Sequence, residues 1–188
     1  MKNIIKKEFN QHIKTSKLLH NLTDKVSEAA KLCIESLKNE GKILIFGNGG
    51  SAADAQHIAA ELVGRYKVKR RGLPSIALTT DTSIMTSVSN DFGFINVFDR
   101  QIDALAKEGD IVIGISTSGS SANVISALKL ASKMNCIAIG FSGKDGGEMN
   151  NICQINIAVP SEDTPRIQEM HIVIGHTICH LIDLEFQT

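Results

Sequence analysis

Two loops in the sequence carry residue types that suit the binding of an anion. The segment Gly47–Ser51, sequence GNGGS, follows an apolar run, and its glycines let the backbone approach a ligand closely. The segment Ser116–Ser121, sequence STSGSS, follows another apolar run and places five hydroxyl groups around one glycine. Each loop precedes a helical pattern, and a helix N-terminus offers free N–H groups and the positive end of a dipole. Because the second loop contains no lysine or arginine, it predicts a phosphate site built from neutral donors.

Both loops also have purely structural interpretations. The glycine loop fits an ordinary tight turn, and Ser121 fits the N-cap position of the helix that follows it. Neither loop matches a nucleotide-binding motif, because the Gly-Lys-Ser/Thr of a P-loop and the GxGxxG of a dinucleotide fold are both missing. We therefore expect no nucleotide cofactor.

A second group of residues has the chemistry of metal ligands and of acid–base catalysts. His57 and Glu61 are four residues apart, which puts them on one face of the helix predicted after Ser51. Gln168 and His176 are eight residues apart on the last predicted helix, about 80° around its axis, so they can face one cleft. Two imidazoles, a carboxylate and an amide can bind Zn²⁺ or another divalent ion, or transfer protons without a metal. The first pair also fits a surface contact, and glutamine is an uncommon zinc ligand, so the spacing leaves the metal open.

Three further sets of polar residues fit both functional and structural roles. Asn90 and Asp91 follow a predicted short helix and can bind sugar hydroxyls, although Asn, Asp and Gly also form turns. His171 and His180 lie on the last predicted helix, and we interpret them as structural residues. The basic cluster Lys67, Lys69, Arg70 and Arg71 has no interleaved aromatic residues and is interpreted as a solvated loop.

The composition excludes several classes of protein. The chain has 188 residues, 43% of them apolar, and a formal net charge of zero, which gives no support to binding of nucleic acid or an anionic membrane. No run of about 18 apolar residues is present, so no membrane span is expected. No signal peptide is recognisable, and the four cysteines form no CxxC pair. We expect a soluble cytoplasmic protein with its thiols buried and reduced.

The elements that position these loops are short apolar runs alternating with helical patterns. Short runs rich in Ile and Val are typical of strands covered on both faces, and strands alternating with helices predict a parallel sheet. Ligands bind such sheets beyond the carboxyl ends of the strands, where both loops lie. The strands are predicted at Ile43–Phe46, Ser75–Leu78, Ile111–Ile115, Cys136–Phe141 and Gln154–Val159. Helices are predicted after Ser51, Ser83, Asn96 and Ser121 and over about 165–185.

Two more helices, over 2–20 and 23–39, are predicted before the first strand. The first is polar on much of its surface, yet it carries Ile4, Ile5 and Phe9. A helix in front of an α/β core must bury such residues somewhere, so we expect residues 1–40 to lie in an oligomer interface. The chain as a whole, 1–188, is expected to form one domain.

Taken together, six motifs resemble those of the phosphoheptose isomerase family, within the sugar isomerase (SIS) domain superfamily. GNGGS or STSG alone is a signal of the superfamily, whereas all six in this order are specific to the family. The resemblance extends over about residues 3–186. The motifs are GNGGS (47–51), DAQHIAAELVGRY (54–66), NDFGF (90–94), GISTSGSSAN (114–123), GKDGG (143–147) and RIQEMH (166–171).

The resemblance implies a three-layer αβα sandwich with a five-stranded parallel sheet, assembled as a homotetramer with sites at subunit boundaries. It implies one Zn²⁺ per subunit, with ligands His57, Glu61, Gln168 and His176. It also implies a phosphosugar substrate, with Ser116, Thr117, Ser118 and Ser121 on the phosphate. The residues toward the sugar would be Asn48, Gly49, Gly50, Ser51, Glu61, Asn90, Asp91 and Gln168.

The reaction implied is the isomerisation of sedoheptulose 7-phosphate to D-glycero-D-manno-heptose 7-phosphate, the first step toward activated heptose for surface polysaccharide such as lipopolysaccharide or capsule. An aldose–ketose isomerisation moves a proton between two carbons through an enediol, and needs a base at carbon and an acid or electrophile at oxygen. Glu61 is our candidate base, and His176 our candidate acid. Two alternatives are the isomerisation of another phosphosugar and a non-catalytic SIS protein of the DnaA initiator-associating type. The latter group lacks the glutamate and histidine at these two positions.

Overall fold

A computed structural model describes residues 1–187 of the chain. Its centre is a five-stranded sheet in which all neighbouring strands are parallel, in the order β2-β1-β3-β4-β5. This confirms the predicted parallel α/β sheet. The strands are β1 (Ile43–Gly47), β2 (Ser75–Ala77), β3 (Ile111–Ser116), β4 (Ile137–Gly143) and β5 (Ile155–Val159).

Helices cover both faces of the sheet and complete the three layers. The described α-helices are α1 (Lys2–Leu18), α2 (Thr23–Lys38), α3 (Gly50–Val63), α4 (Thr82–Phe92), α5 (Asp99–Leu105), α6 (Ala122–Lys133) and α7 (Thr164–Glu185). Short 3₁₀ turns lie at Leu19–Leu22, Phe94–Asn96 and Gly147–Asn151. None of the helices within residues 1–187 is long and apolar enough to cross a membrane.

The strand side chains alternate between two separate cores, as the pleat of a strand requires. Ile43 and Ile45 of β1 join a cluster with residues of α2, α3 and α7. Leu44 and Phe46, on the opposite face, join a cluster with α5 and α6. Burial of a strand on both faces explains why its sequence reads as a continuous apolar run rather than an alternating one.

Several predicted boundaries shift by one or two residues, and two of these shifts fall on the motifs. Strand β4 continues to Gly143, because Ser142 and Gly143 pair with Ala158 and Val159 of β5 although neither is an apolar residue. The motif NDFGF does not follow its helix, because Asn90 and Asp91 form the last turn of α4.

The interpretation of the basic cluster as a solvated loop is wrong for Arg70. Its side chain is fully buried and forms an ion pair with the equally buried carboxylate of Asp183, at 2.7 Å. Arg70 also donates hydrogen bonds to the carbonyl groups of Leu62 and Gly64 at the end of α3. The cation was misjudged because its partner lies 113 residues away in the sequence.

Helix α1 and helix α4 expose much of their apolar surface in the single chain. Ile4 is 65% exposed and Phe9 66%. Helix α4 contains no buried residue at all, and Phe92 and Phe94 at its end are about half exposed. Both helices therefore leave apolar side chains uncovered in the single chain.

Candidate active site

The two predicted ligand loops meet at the centre of the sheet. The loop at 47–51 follows β1 and the loop at 116–121 follows β3, and these two strands are hydrogen-bonded neighbours. In a sheet of order 2-1-3-4-5, the connections leave β1 and β3 toward opposite faces, which opens a crevice between their carboxyl ends. The fold therefore places both loops at the position where parallel α/β sheets bind ligands.

The glycine loop approaches the last helix closely. Gly49 has φ +58° and ψ −121°, a backbone conformation that residues with a Cβ rarely adopt, and it is the N-cap of α3. A Cβ on Gly50 would lie 2.7 Å from Nε2 of Gln168, so a larger residue here would displace that amide. Ser51 is buried in the first turn of α3.

A reciprocal pair of side-chain amides joins the two loops. The Nδ2 of Asn48 donates to Oδ1 of Asn123, and the Nδ2 of Asn123 donates back to Oδ1 of Asn48, both at 2.9 Å. Asn123 lies in the first turn of α6 and is buried. The side chain of Asn48 is thus held by the helix that follows the loop at 116–121, which fixes the two loops relative to each other.

The hydroxyl groups of the serine loop (residues 116–121) converge at the N-terminus of α6. The Oγ atoms of Ser116 and Ser121 lie 2.8 Å apart, and Ser118 Oγ lies 3.3 Å from Ser116 Oγ. Ser121 occupies the N-cap position, but its side chain makes no capping hydrogen bond. Three hydroxyls and a helix N-terminus in one place can donate several hydrogen bonds to a phosphate dianion.

The motif GKDGG forms the support behind this loop. Gly119, at φ +67°, packs so tightly on the next turn that a Cβ there would lie 2.2 Å from the carbonyl oxygen of Gly146. The backbone N–H of Met149 donates to the carbonyl of Gly119 at 3.2 Å. The serine loop is therefore packed against the turn at 146–149.

His57, Glu61 and His176 form one compact group between α3 and α7. His57 Nε2 lies 3.2 Å from Glu61 Oε1 and 3.3 Å from His176 Nε2. One ligand atom from each residue falls within 4.8 Å of the others, a spacing that a single ion can bridge. Two imidazole nitrogens and a carboxylate oxygen are a donor set that zinc accepts, so these residues fit a divalent ion.

The other predicted residues of the site are more dispersed. The amide of Gln168 packs on Gly50, and no hydrogen bond within residues 1–187 joins it to the His57, Glu61 and His176 group. Asn90 and Asp91 are exposed, and Asn90 Nδ2 donates to Asp91 Oδ1 at 2.7 Å. Thr117 is half-buried beside the serines. Whether these residues reach the same ligand stays a prediction.

The electrostatic environment of the group favours a neutral His176. Burial lowers its pKa below the ordinary value, and the nearby charge of His57 lowers it further, against an opposite effect from Glu61.

His171, three residues beyond Gln168, is a different case, because burial lowers its pKa to about 4. Its Nε2 donates to the carbonyl of Ser142 at 2.8 Å, which ties α7 to the end of β4. The structural interpretation of His171 fits this contact.

Sequence reasoning passed over two residues that the geometry brings into the site. Asn123 was quoted only as the end of a motif, and it binds Asn48. Tyr66 was quoted only as the end of another motif, and its ring stacks on that of His176 with centroids 4.9 Å apart. Both lie far along the chain from their partners, so only the fold reveals the contacts.

Comparison with known proteins gives consistent results. The family model described as "SIS domain" matches residues 9–143. A phosphoheptose isomerase of Aliarcobacter butzleri is 60% identical over 186 residues, covering 98% of each chain. One of Campylobacter jejuni is 54% identical and covers 99% of this chain and all of its own. The solved structure of phosphoheptose isomerase GmhA from Neisseria gonorrhoeae is 42% identical with a TM-score of 0.92, covering 97% of this chain and 98% of that one.

Proposed function

We propose, from the premise that the chain belongs to the phosphoheptose isomerase family of SIS domain proteins, that it converts sedoheptulose 7-phosphate to D-glycero-D-manno-heptose 7-phosphate. The observation that carries the proposal is the combination of a loop of converging hydroxyl groups for a phosphate with a Glu and two His side chains for proton transfer. The chain is thus an aldose–ketose isomerase. Incubation with sedoheptulose 7-phosphate should produce the aldose, identified by NMR, and no conversion would contradict the assignment.

In the proposed mechanism, the serine loop holds the phosphate while the reacting end of the sugar meets the acid–base group. Glu61 removes the proton from the carbon next to the carbonyl, and the resulting carboxylic acid returns the proton to the neighbouring carbon of the enediol. His176 donates a hydrogen bond to the carbonyl oxygen and exchanges the proton between the two oxygens. Binding energy from the remote phosphate holds the substrate while the proton moves.

Zinc is the metal we propose for the group, with His57, Glu61, Gln168 and His176 as ligands. A bound divalent ion would polarise the carbonyl, and it would lower the basicity of a Glu61 that ligates it. We expect elemental analysis of protein purified without chelator to show about one zinc per chain. His57→Gln should lose most of this metal, whereas the exposed His20→Gln should retain it. Equal zinc contents in the two variants would contradict the ligand assignment.

The phosphate site is tested by removal of its buried hydroxyl. We expect Ser116→Ala to raise KM for the phosphosugar about ten- to hundredfold, because a hydrogen bond to a charged group contributes about 1.5–3 kcal/mol. Ser120→Ala is the matched control, since its hydroxyl contacts the backbone N–H of Glu148 and lies outside the predicted set. Steady-state kinetics should show the control within about twofold of wild type. Similar KM values for both variants would place the phosphate elsewhere.

We also propose that the active unit is a homotetramer with sites at subunit boundaries. The exposed apolar faces of α1 and α4 support this assembly, as does the position of Asn90 and Asp91 at the edge of α4. Glu61 lies about 16 Å along α3 from Gly50, at 1.5 Å per residue. Such a separation suits a substrate that is shared between copies of the chain. The predicted cytoplasmic localisation stays a prediction.

Assembly is tested on α1. Phe9→Glu should convert the tetramer to smaller species in light scattering and lower the activity with it, because a carboxylate at this position opposes apolar burial. Lys7→Glu, on the opposite face of the same helix, is the control and should stay tetrameric. A wild-type monomer in solution would refute the assembly.

A further inference from the structure

The ring of His176 must be held in one orientation for its Nε2 to face His57 and Glu61. A histidine that binds a metal or substrate is usually oriented by a hydrogen bond from its other ring nitrogen to a carboxylate or carbonyl. Within the part of the chain that the structure describes, the recorded hydrogen bond of His176 is the one from Nε2 to His57. Some other contact must orient the ring, because rotation about the bond to an imidazole is broad and weakly restricted.

That contact is the aromatic ring of Tyr66. Its ring lies nearly parallel to the imidazole of His176, with centroids 4.9 Å apart and an interplanar angle of 21°. Tyr66 is half-buried and also meets His180 edge-on at 6.1 Å. Stacked rings of this kind attract one another beyond the apolar area that they bury. It restricts the plane of the imidazole without using either of its nitrogens.

The loop that carries Tyr66 is itself fixed by a buried carboxylate. Asp183 on α7 accepts hydrogen bonds from the backbone N–H groups of Lys67, at 2.6 Å, and Val68, at 2.9 Å. The same carboxylate accepts from Arg70 Nε at 2.7 Å. Asp183 lies two turns beyond His176, so the helix that carries the histidine also anchors the loop that stacks on it.

Arg70 extends the same connection to the other helix of the site. Its guanidinium donates to the carbonyl groups of Glu61, Leu62 and Gly64, the last turn of α3. The loop between Gly64 and Arg70 therefore spans both helices that carry the His57, Glu61 and His176 group. Because the loop is hydrogen-bonded to both α3 and α7, Tyr66 is held at a fixed distance from His176.

We propose that Tyr66 is a positioning residue, whose ring orients the imidazole of His176 toward His57 and Glu61 and is held in place by the Arg70–Asp183 pair. The proposal deepens the proposed function and rests on the role assigned there to His176. The ring, not the hydroxyl, carries the effect, because stacking is the contact between the two residues. Changes to groups that orient a ligand side chain typically cost about ten- to a hundredfold in metal affinity or activity.

The test compares Tyr66→Phe with Tyr66→Leu. We expect the Phe variant to stay within about twofold of wild type in kcat and in Zn²⁺ affinity, measured by competition with a chromophoric chelator. The Leu variant should lose about tenfold in kcat and in Zn²⁺ affinity. Its KM for the phosphosugar should stay near wild type because the serine loop is unchanged. If Leu lowers the melting temperature, Tyr66→Met replaces it, since methionine fills a similar volume without a ring.

Two results would overturn the proposal. Wild-type values for the Leu or Met variant would show that the ring positions nothing, and an equal loss in the Phe variant would assign the effect to the hydroxyl. Histidine side-chain NMR of the metal-free protein separates this proposal from the proposed function, because it needs no turnover. A His176 ring that samples several orientations only in the Leu variant supports positioning even if sedoheptulose 7-phosphate is not the substrate. An identical ring signal in wild type and the Leu variant contradicts it.

Discussion

Glu61→Gln is expected to reduce kcat by about 10²–10⁴, the usual loss when a positioned general base is removed. The amide keeps the size and hydrogen bonding of the side chain but cannot accept a carbon-bound proton. Substrate binding should change little, because the phosphate is held by the separate loop at 116–121 and its binding energy survives the substitution. Glu61 is well placed for this role, with its side chain 23% exposed and its Oε1 beside His57.

The measurement has to separate the base from the metal, since Glu61 is also a candidate ligand. Kinetics, the dissociation constant for the phosphosugar and the zinc content should be determined on the same preparation. A large rise in the dissociation constant with an unchanged kcat would mean that Glu61 only positions the substrate or the metal. Loss of zinc in parallel with loss of kcat would assign the effect to the ion. The matched control is Glu148→Gln, an exposed carboxylate outside the site.

Arg70→Met is expected to destabilise the protein by about 3–5 kcal/mol, because it leaves the carboxylate of Asp183 buried without its cation. Both side chains of the pair are fully buried. Urea denaturation at neutral pH measures the loss, and a change of less than about 1 kcal/mol would contradict it. Lys129→Met is the control, because its pair with Glu148 is more than half exposed and should contribute about 0–1 kcal/mol.

A double variant and an acid titration test the same ion pair further. The double variant Arg70→Met, Asp183→Leu removes both charges and should recover part of the loss, whereas the single variants do not. Acid should act on the wild type in the same direction. Burial alone would raise the pKa of Asp183, but hydrogen bonds from Val68, Lys67 and Arg70 bring it below its ordinary value. The stability from this group is therefore present above the unfolded pKa of about 3.9 and lost as the pH falls through the folded value.

Much of the fold follows from local patterns in the sequence. The runs beginning at Ile43 and Ile111 are continuous and apolar, and strands covered on both faces have no other pattern available. Boundaries shift where the backbone pairs without apolar side chains, as at Ser142 and Gly143. The exposure of α4 was beyond this reasoning, because its Ile84 and Phe92 resemble a core face yet remain 36% and 51% exposed in the single chain.

In the site, too, contacts between residues close in the sequence could be predicted, whereas contacts between distant segments could not. His57 and Glu61 could be paired from their spacing, since residues four apart on a helix are neighbours. The serine loop could be recognised from its composition and its place after a strand. Tyr66 with His176, Asn48 with Asn123 and Arg70 with Asp183 are contacts between distant segments, and no periodicity signals them. Four of these six residues, Tyr66, Asn123, Arg70 and Asp183, therefore had a structural role or none in the prediction.

The most direct test of the account is the conversion of sedoheptulose 7-phosphate by the purified wild-type protein in D₂O, followed by NMR. We predict that D-glycero-D-manno-heptose 7-phosphate forms and carries solvent deuterium at the carbon next to the carbonyl, because Glu61 is partly exposed and exchanges its proton. Glu61→Gln in the same buffer should incorporate deuterium about 10²–10⁴ times more slowly. Failure of the wild type to form this aldose, or exchange by Glu61→Gln at the wild-type rate, would contradict the account.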